Sequence, residues 1–188
     1  MNKVTLLSAF VATLGLGTAF AQSDEDFQTH NIAISIPEIA ILDIETTGSE
    51  NVTFALNADN LEAGAEFIVD EENSDLWINY TSIVAVAGNE RSISITADDV
   101  PEIDGFTLKV IAAEYSGSGE GTLGDPTTIV TPSESPTDII TGIGSAFTGD
   151  GNSNGHNLTY YLDFDGDFAD LNVDDAGMNI EIKYTITD

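Results

Sequence analysis

Residues 158–175, LTYYLDFDGDFADLNVDD, set aspartates at the spacing a calcium loop requires. An EF-hand loop takes oxygen ligands from positions one, three and five, a glycine at six for its sharp turn and an acid at twelve. With Asp163 at position one, Asp165, Asp167 and Asp174 fall on three, five and twelve, but Phe168 takes the glycine position and Gly166 comes two residues early. Starting at Asp165 puts Ala169 at position five, which fits less well. Asp-Gly between alternating apolar runs is the stronger signal, and it predicts a type I′ hairpin turn at Asp165-Gly166 with the aspartates facing water. A second acidic run, VDEENSD at residues 69–75, offers oxygens without a spacing constraint and reads as an exposed loop.

Other chemistries find less support. The two histidines, His30 and His156, sit beside polar turns where a solvated imidazole is expected, and without cysteine a zinc site would need carboxylate ligands. No G-x-S-x-G elbow is present, and YSGSGEG reads as a flexible loop. A phosphate cradle needs a following helix and a lysine, and neither accompanies these glycines. Two carboxylates can hydrolyse a glycoside, yet among 33 acids no pair stands out. Trp77 has the surface to stack on a sugar, but between Leu76 and Ile78 it reads as core. Asn51, Asn79 and Asn157 each head a glycosylation sequon. The sequence therefore assigns no catalytic, cofactor-binding or metal-ligating residue, and the chain reads as non-enzymatic.

Charge narrows the partners. Four cations face 33 acids over 188 residues. Nothing here could displace counterions from a phosphate backbone, so nucleic acid is excluded as a partner, and anionic membrane surfaces with it. The acids are spread along the chain, as suits solubility in a salty medium. Residues 1–21 combine Lys3, an apolar run from Val4 to Leu16 and the small-x-small pattern Ala19-Phe20-Ala21, which predicts a signal peptide cut before Gln22. Export is the expected fate, to the periplasm, the cell surface or the medium. With no cysteine, neither a lipid anchor nor a disulfide is available.

The elements that must position these residues are strands. Alternation places Met178, Ile180, Ile182, Tyr184 and Ile186 on one face of a terminal strand. RSISITA repeats it with Ile93 and Ile95, GFTLKVIA with Phe106, Leu108 and Val110, NIAISI with Ile32, Ile34 and Ile36, and NVTFALN with Val52, Phe54 and Leu56. Further strands are expected at IAILDIE, LWINYTSIVAV, TDIITGIG and LTYYLDF, with TTIVT as a short edge strand. Turn-forming clusters separate them. About nine short strands with one wet face each predict an all-β, antiparallel β-sandwich, immunoglobulin-like or fimbrial-type. Residues 22–188 are expected to form a single domain with a long Gly/Ser/Thr/Pro-rich loop at 114–138.

An early alternating strand, FQTHNIAISI, many short strands, a Gly-rich turn before LTYYLDF and a terminal KYTITD strand with Tyr184 near its end together resemble bacterial fimbrial-type β-sandwich subunits. The resemblance covers the two ends of the chain, and the lack of cysteine departs from many members. It implies that the N-terminal strand completes the sandwich of a neighbouring subunit. The expected function is an exported structural or adhesive surface subunit assembling by strand exchange, with other copies of itself or an assembly chaperone as partners and no cofactor. The rivals are a secreted polysaccharide- or calcium-binding module and, third, a secreted carboxylate hydrolase.

Overall fold

The computed structural model describes residues 27–54, 62–65, 70–98, 105–164, 166–170 and 179–187. The signal-peptide segment and Asp165 and Asp174 of the acidic stretch lie outside them. By backbone contacts the chain divides into Met1–Ser35 and Ile36–Asp188. In the first unit, residues 27–35 carry no regular structure and are exposed.

The second unit is all-β. Eight antiparallel strands run as β1 (Ile39–Thr46), β2 (Asp70–Ile83), β3 (Arg91–Asp98), β4 (Phe106–Ala112), β5 (Glu120–Pro126), β6 (Thr137–Phe147), β7 (His156–Phe164) and β8 (Glu181–Thr187). The hydrogen-bonded order is β4-β7-β2-β6-β3-β8, with β1 added to β2 and β5 added to β6. The long β2 is the hub: its first part pairs with β7 and its second with β1, and it meets β6 only at Thr81↔Phe147 and Ser82↔Ala146. Two groups of ladders therefore join at one narrow seam. β1, β2, β7 and β4 lie on one side of it, and β5, β6, β3 and β8 on the other.

One apolar cluster serves both groups. Ile78, Val110 and Leu158 from the first and Ile93, Ile95, Ile139, Ile140 and Ile143 from the second are fully buried, with Ile182 and Tyr184 of β8 packed against them. Each such isoleucine or leucine contributes about 1.5–3 kcal/mol relative to exposure. The Tyr160 and Tyr184 hydroxyls, one from each group, hydrogen-bond at 2.6 Å. Burial pushes the Tyr160 hydroxyl up to about 12 and Tyr184 well above its ordinary value.

The structure corrects several expectations. NIAISI is no strand: the sheet begins at Ile39, and Ile32, Ile34 and Ile36 are 77, 84 and 72% exposed. Alternation marks a segment as fit to be a strand, but a strand also needs an edge to bond and a face to cover, and Pro37 cannot donate to a ladder. Val52 and Phe54 pack on the core without strand pairing, and the rest of NVTFALN lies outside the described residues. The 114–138 stretch contains β5, whose EGTLGDP has Thr122 as its one β-branched residue and is strand because β6 pairs with it from Glu120↔Phe147 to Pro126↔Ile140. TTIVT makes only a single bridge, Val130 to Val110. The described residues thus hold eight strands where about nine were expected.

Asp165 lies outside the described residues, and Gly166 does not fit the I′ hairpin turn expected at Asp165-Gly166. Such a turn needs positive φ at both residues, and Gly166 is not among the glycines with positive φ. β7 ends beside the start of β4, where the Gly166 N–H donates to the Gly105 carbonyl at 3.1 Å, and the two glycines lie so close that a Cβ on Gly166 would strike the Gly105 backbone. The following strand, β8, pairs with β3 instead of folding back on β7.

Candidate functional site

The described aspartates of the acidic stretch do not gather. Asp163, at the end of β7, accepts a hydrogen bond from Lys109 Nζ at 2.7 Å, and Asp167 Oδ1 accepts from the Ala169 N–H at 3.0 Å, closing a short turn. Among the described residues no group of three or more His, Asp or Glu side chains is placed to hold a metal ion. The other acidic run is no loop. Residues 70–75 belong to β2, which bulges between Asn73 and Leu76. Asn73 Nδ2 donates to the Asp75 carboxylate and Asn73 Oδ1 accepts from the Asp75 N–H there, and Asn157 Nδ2 donates to the Ser74 and Leu76 carbonyls. The extra residue bends the strand, and side chains satisfy the backbone groups that the ladder gives up.

Trp77 also departs from expectation. Leu76, Ile78 and Tyr80 take the buried face of β2, so Trp77 lies on the opposite face, half-buried between Glu45 of β1 and Asn157 of β7. Of the three sequons, Asn79 is buried with its Nδ2 donating to the Asn154 carbonyl at 2.7 Å, and Asn157 is tied into the β2 bulge. Asn51 alone among them is exposed.

His156 is fully buried, not solvated. As the first residue of β7 it shares the inward register of Leu158 and Tyr160. Its Nδ1 lies 2.9 Å from the Ala113 carbonyl and its Nε2 3.2 Å from the Tyr80 hydroxyl, with the Tyr115 ring set edge-on. The first contact makes Nδ1 the donor, so the neutral ring can accept from Tyr80. Desolvation lowers its pKa, opposed by the Ala113 bond and by the charges of Glu114 and Asp125, and burial raises Tyr80. A depressed folded-state pKa means that the unfolded chain takes up a proton first as pH falls. Stability from His156 is therefore fully present above about 6.5 and is lost on acidification toward the folded-state value. His156→Gln should melt well below wild type near pH 7, and the gap should narrow by about pH 5, as thermal melts across that range would show. A constant gap would mean that the ring's protonation does not touch stability.

A recess on the outer surface lies where β1, β2 and the turn after β6 meet. An open recess of about 320 Å³ is walled by Ile41, Asp43, Asn79, Thr81, Phe147 and Asp150, with Tyr80 and Gly149. Pairing explains the grouping: Asp43 sits opposite Asn79 and Ile41 opposite Thr81, so all four side chains leave the same face of the β1–β2 ribbon. The turn is held to β2 by the Thr148 N–H on the Tyr80 carbonyl at 3.0 Å and by the Asn79–Asn154 bond. Asn79 is 5% exposed, and its Oδ1 is buried without a hydrogen-bond partner. An orphaned buried acceptor costs about 1–3 kcal/mol.

This grouping was hidden because it comes from three separate segments. One signal was nonetheless present: Asp150-Gly151-Asn152-Ser153-Asn154-Gly155 has the D-x-N-x-N-G order that opens an EF-hand loop. The loop departs from that geometry. Asn154 Oδ1 accepts from the Ser118 N–H, and Tyr161 stands at position twelve. Compared with protein-family models, curated proteins and solved structures, the chain finds no match in any of the three.

Proposed function

We propose that the protein is an exported, non-enzymatic β-sandwich subunit of a surface structure, which assembles by lending residues 27–36 of one copy to the sheet edge of another. The observation that carries this reading is the exposure of Ile32, Ile34 and Ile36, which alternate as a strand does yet join no ladder. A segment with that pattern gains backbone pairing and a covered face when it adds to another sheet. Its charge suits such a role, since FQTHNIAISI holds no acid in a chain of 33 and can approach an acidic neighbour without like-charge repulsion.

The acceptor edge is β8 of a second copy. It ends the hydrogen-bonded order and pairs with β3 over seven unbroken positions, from Ser92↔Thr187 to Asp98↔Glu181, which leaves a regular outer edge. Lys183, one of four cations in the chain, lies on it. By contrast, β4 already bridges Val130, and Gly121 and Gly124 with positive φ distort β5. The sandwich reading draws on the two ladder groups that share one apolar cluster and on the Tyr160–Tyr184 bond between them. An assembly chaperone would hold the same isoleucines before subunits meet, as unpartnered apolar edges invite misassembly.

The test is a chain beginning at Pro37. It should melt at the same temperature as the chain beginning at Gln22 and remain monomeric. Loss of the folded state on this truncation would place the isoleucines in the subunit's own core and end the strand-lending reading.

A further inference from the structure

Three asparagines head an Asn-x-Thr sequon, and the fold separates one from the other two. Asn79 and Asn157 belong to β2 and β7, strands paired on both edges. Asn79 is 5% exposed, with Nδ2 on the Asn154 carbonyl. Asn157 Nδ2 gives its two donors to the Ser74 and Leu76 carbonyls, and the hydroxyl of Thr159, which completes that sequon, meets Ser74 Oγ at 3.0 Å. An enzyme could reach either amide only by pulling a strand out of its sheet. Asn51 differs on every count. It stands in the connection between β1 and β2 and belongs to no ladder among the described residues. Val52 and Phe54 pack against the core, and the alternation turns Asn51 and Thr53 outward, where both are exposed. The bend before them is held by the Gly48 N–H on Thr46 Oγ1 at 2.9 Å and by the Asn51 N–H on Ser49 Oγ at 3.1 Å.

We propose that Asn51 is a glycosylation site, its side-chain nitrogen receiving an oligosaccharide from a lipid-diphosphate carrier after the chain crosses the membrane. The inference rests on the export contained in the proposed function. In the transfer, Asn51 Nδ2 bonds to the anomeric carbon of the first sugar. The bond from that carbon to the diphosphate oxygen breaks, its electron pair leaves with the lipid diphosphate, and the amide proton passes to a base of the transferase. Thr53 supplies the hydroxyl that the transferase reads two residues on. A hydrated glycan is bulky and belongs on the surface, and of the three positions only Asn51 can carry one without opening a strand pair.

The test incubates the folded chain beginning at Gln22 with a single-subunit oligosaccharyltransferase that accepts the bare Asn-x-Thr sequon and with a lipid-diphosphate-linked oligosaccharide. Mass spectrometry then maps the modified peptides. Short peptides carrying each sequon serve as the control, and all three should be modified. The folded chain should gain one oligosaccharide, at Asn51, and none at Asn79 or Asn157. Asn51→Gln and Thr53→Ala should each abolish the gain while melting like the parent chain, because both positions are exposed, and Thr53→Ser should keep it. Protein purified from the cells that make it should carry a glycan at Asn51. A folded chain left bare at Asn51, or modified as readily at Asn157, overturns the proposal, as does a native chain that starts at Gln22 with Asn51 bare. A native chain that still starts at Met1 and is bare at Asn51 overturns the export reading, and this proposal with it.

Discussion

Replacing Arg91 by methionine is expected to lower the melting temperature by about 10 °C or more, the equivalent of about 3–5 kcal/mol in a domain of this size. Arg91 is 3% exposed, an unusual place for a guanidinium. Its Nη1 donates to the Ile39 carbonyl at 2.8 Å, the Ser82 hydroxyl at 3.0 Å and the Ile83 carbonyl at 3.1 Å, and its Nη2 pairs with Glu38. One side chain thus ties the first residue of β1 to the last of β2 from the first position of β3. Methionine fills similar volume but leaves two carbonyls and a hydroxyl without their donor, and removing one partner from a buried network is the costly operation. Glu38, with 47% of its side chain exposed, can return to water. Glu38→Gln should therefore cost no more than about 1 kcal/mol. Thermal melts of the two variants separate a buried anchor from an ordinary surface ion pair, and equal losses would contradict the assignment.

Gly155→Ala should cost about 3 kcal/mol or more, while Gly151→Ala should cost only about 1–2 kcal/mol. The two glycines have nearly the same backbone, φ 85° and 88°. Any L-residue meets the same left-handed penalty at both. They differ in surroundings: a Cβ on Gly151 meets open space, whereas one on Gly155 would overlap the Ile78 carbonyl oxygen and crowd Asn79 Nδ2 at 2.9 Å. The turn lies directly on β2, and its Asn154 carbonyl holds the Asn79 amide. Chemical denaturation of both variants reads the difference, which isolates the overlap from the backbone cost. Equal destabilisation would mean that the turn has room to lift off β2.

Strands that bury one face were legible wherever the core imposes its period on the sequence. RSISITA, GFTLKVIA, LTYYLDF and the terminal EIKYTIT all became strands, β3, β4, β7 and β8. Within LTYYLDF the same period extends back one step to His156, so its burial was readable as the next inward position before Leu158. β5 was not readable, because pairing with β6 rather than its own residues makes it a strand, and Gly121 and Gly124 serve where the β6 backbone and the Ile140 and Ile143 side chains leave no room for a Cβ. NIAISI misled for the opposite reason: its pattern is that of a strand, but it belongs to no ladder among the described residues. Trp77 was judged by its apolar neighbours, yet Leu76 and Ile78 flank it in sequence and point away from it in space. The recess at Asp43, Asn79 and Asp150 needed the β1–β2 register to bring its parts together. Only its last segment carried a local signature.

Strand lending between copies is tested most directly by sedimentation velocity of the chain beginning at Gln22, run over a wide range of concentration beside Ile34→Asp. The wild type should form assemblies that grow with concentration. The variant should sediment as a monomer with an unchanged melting temperature, because the new carboxylate meets water in the free subunit and would be buried only in a neighbour's edge, at a cost of several kcal/mol. A wild type that stays monomeric at every concentration would contradict the proposal, as would an Ile34→Asp chain that loses stability like a core mutant.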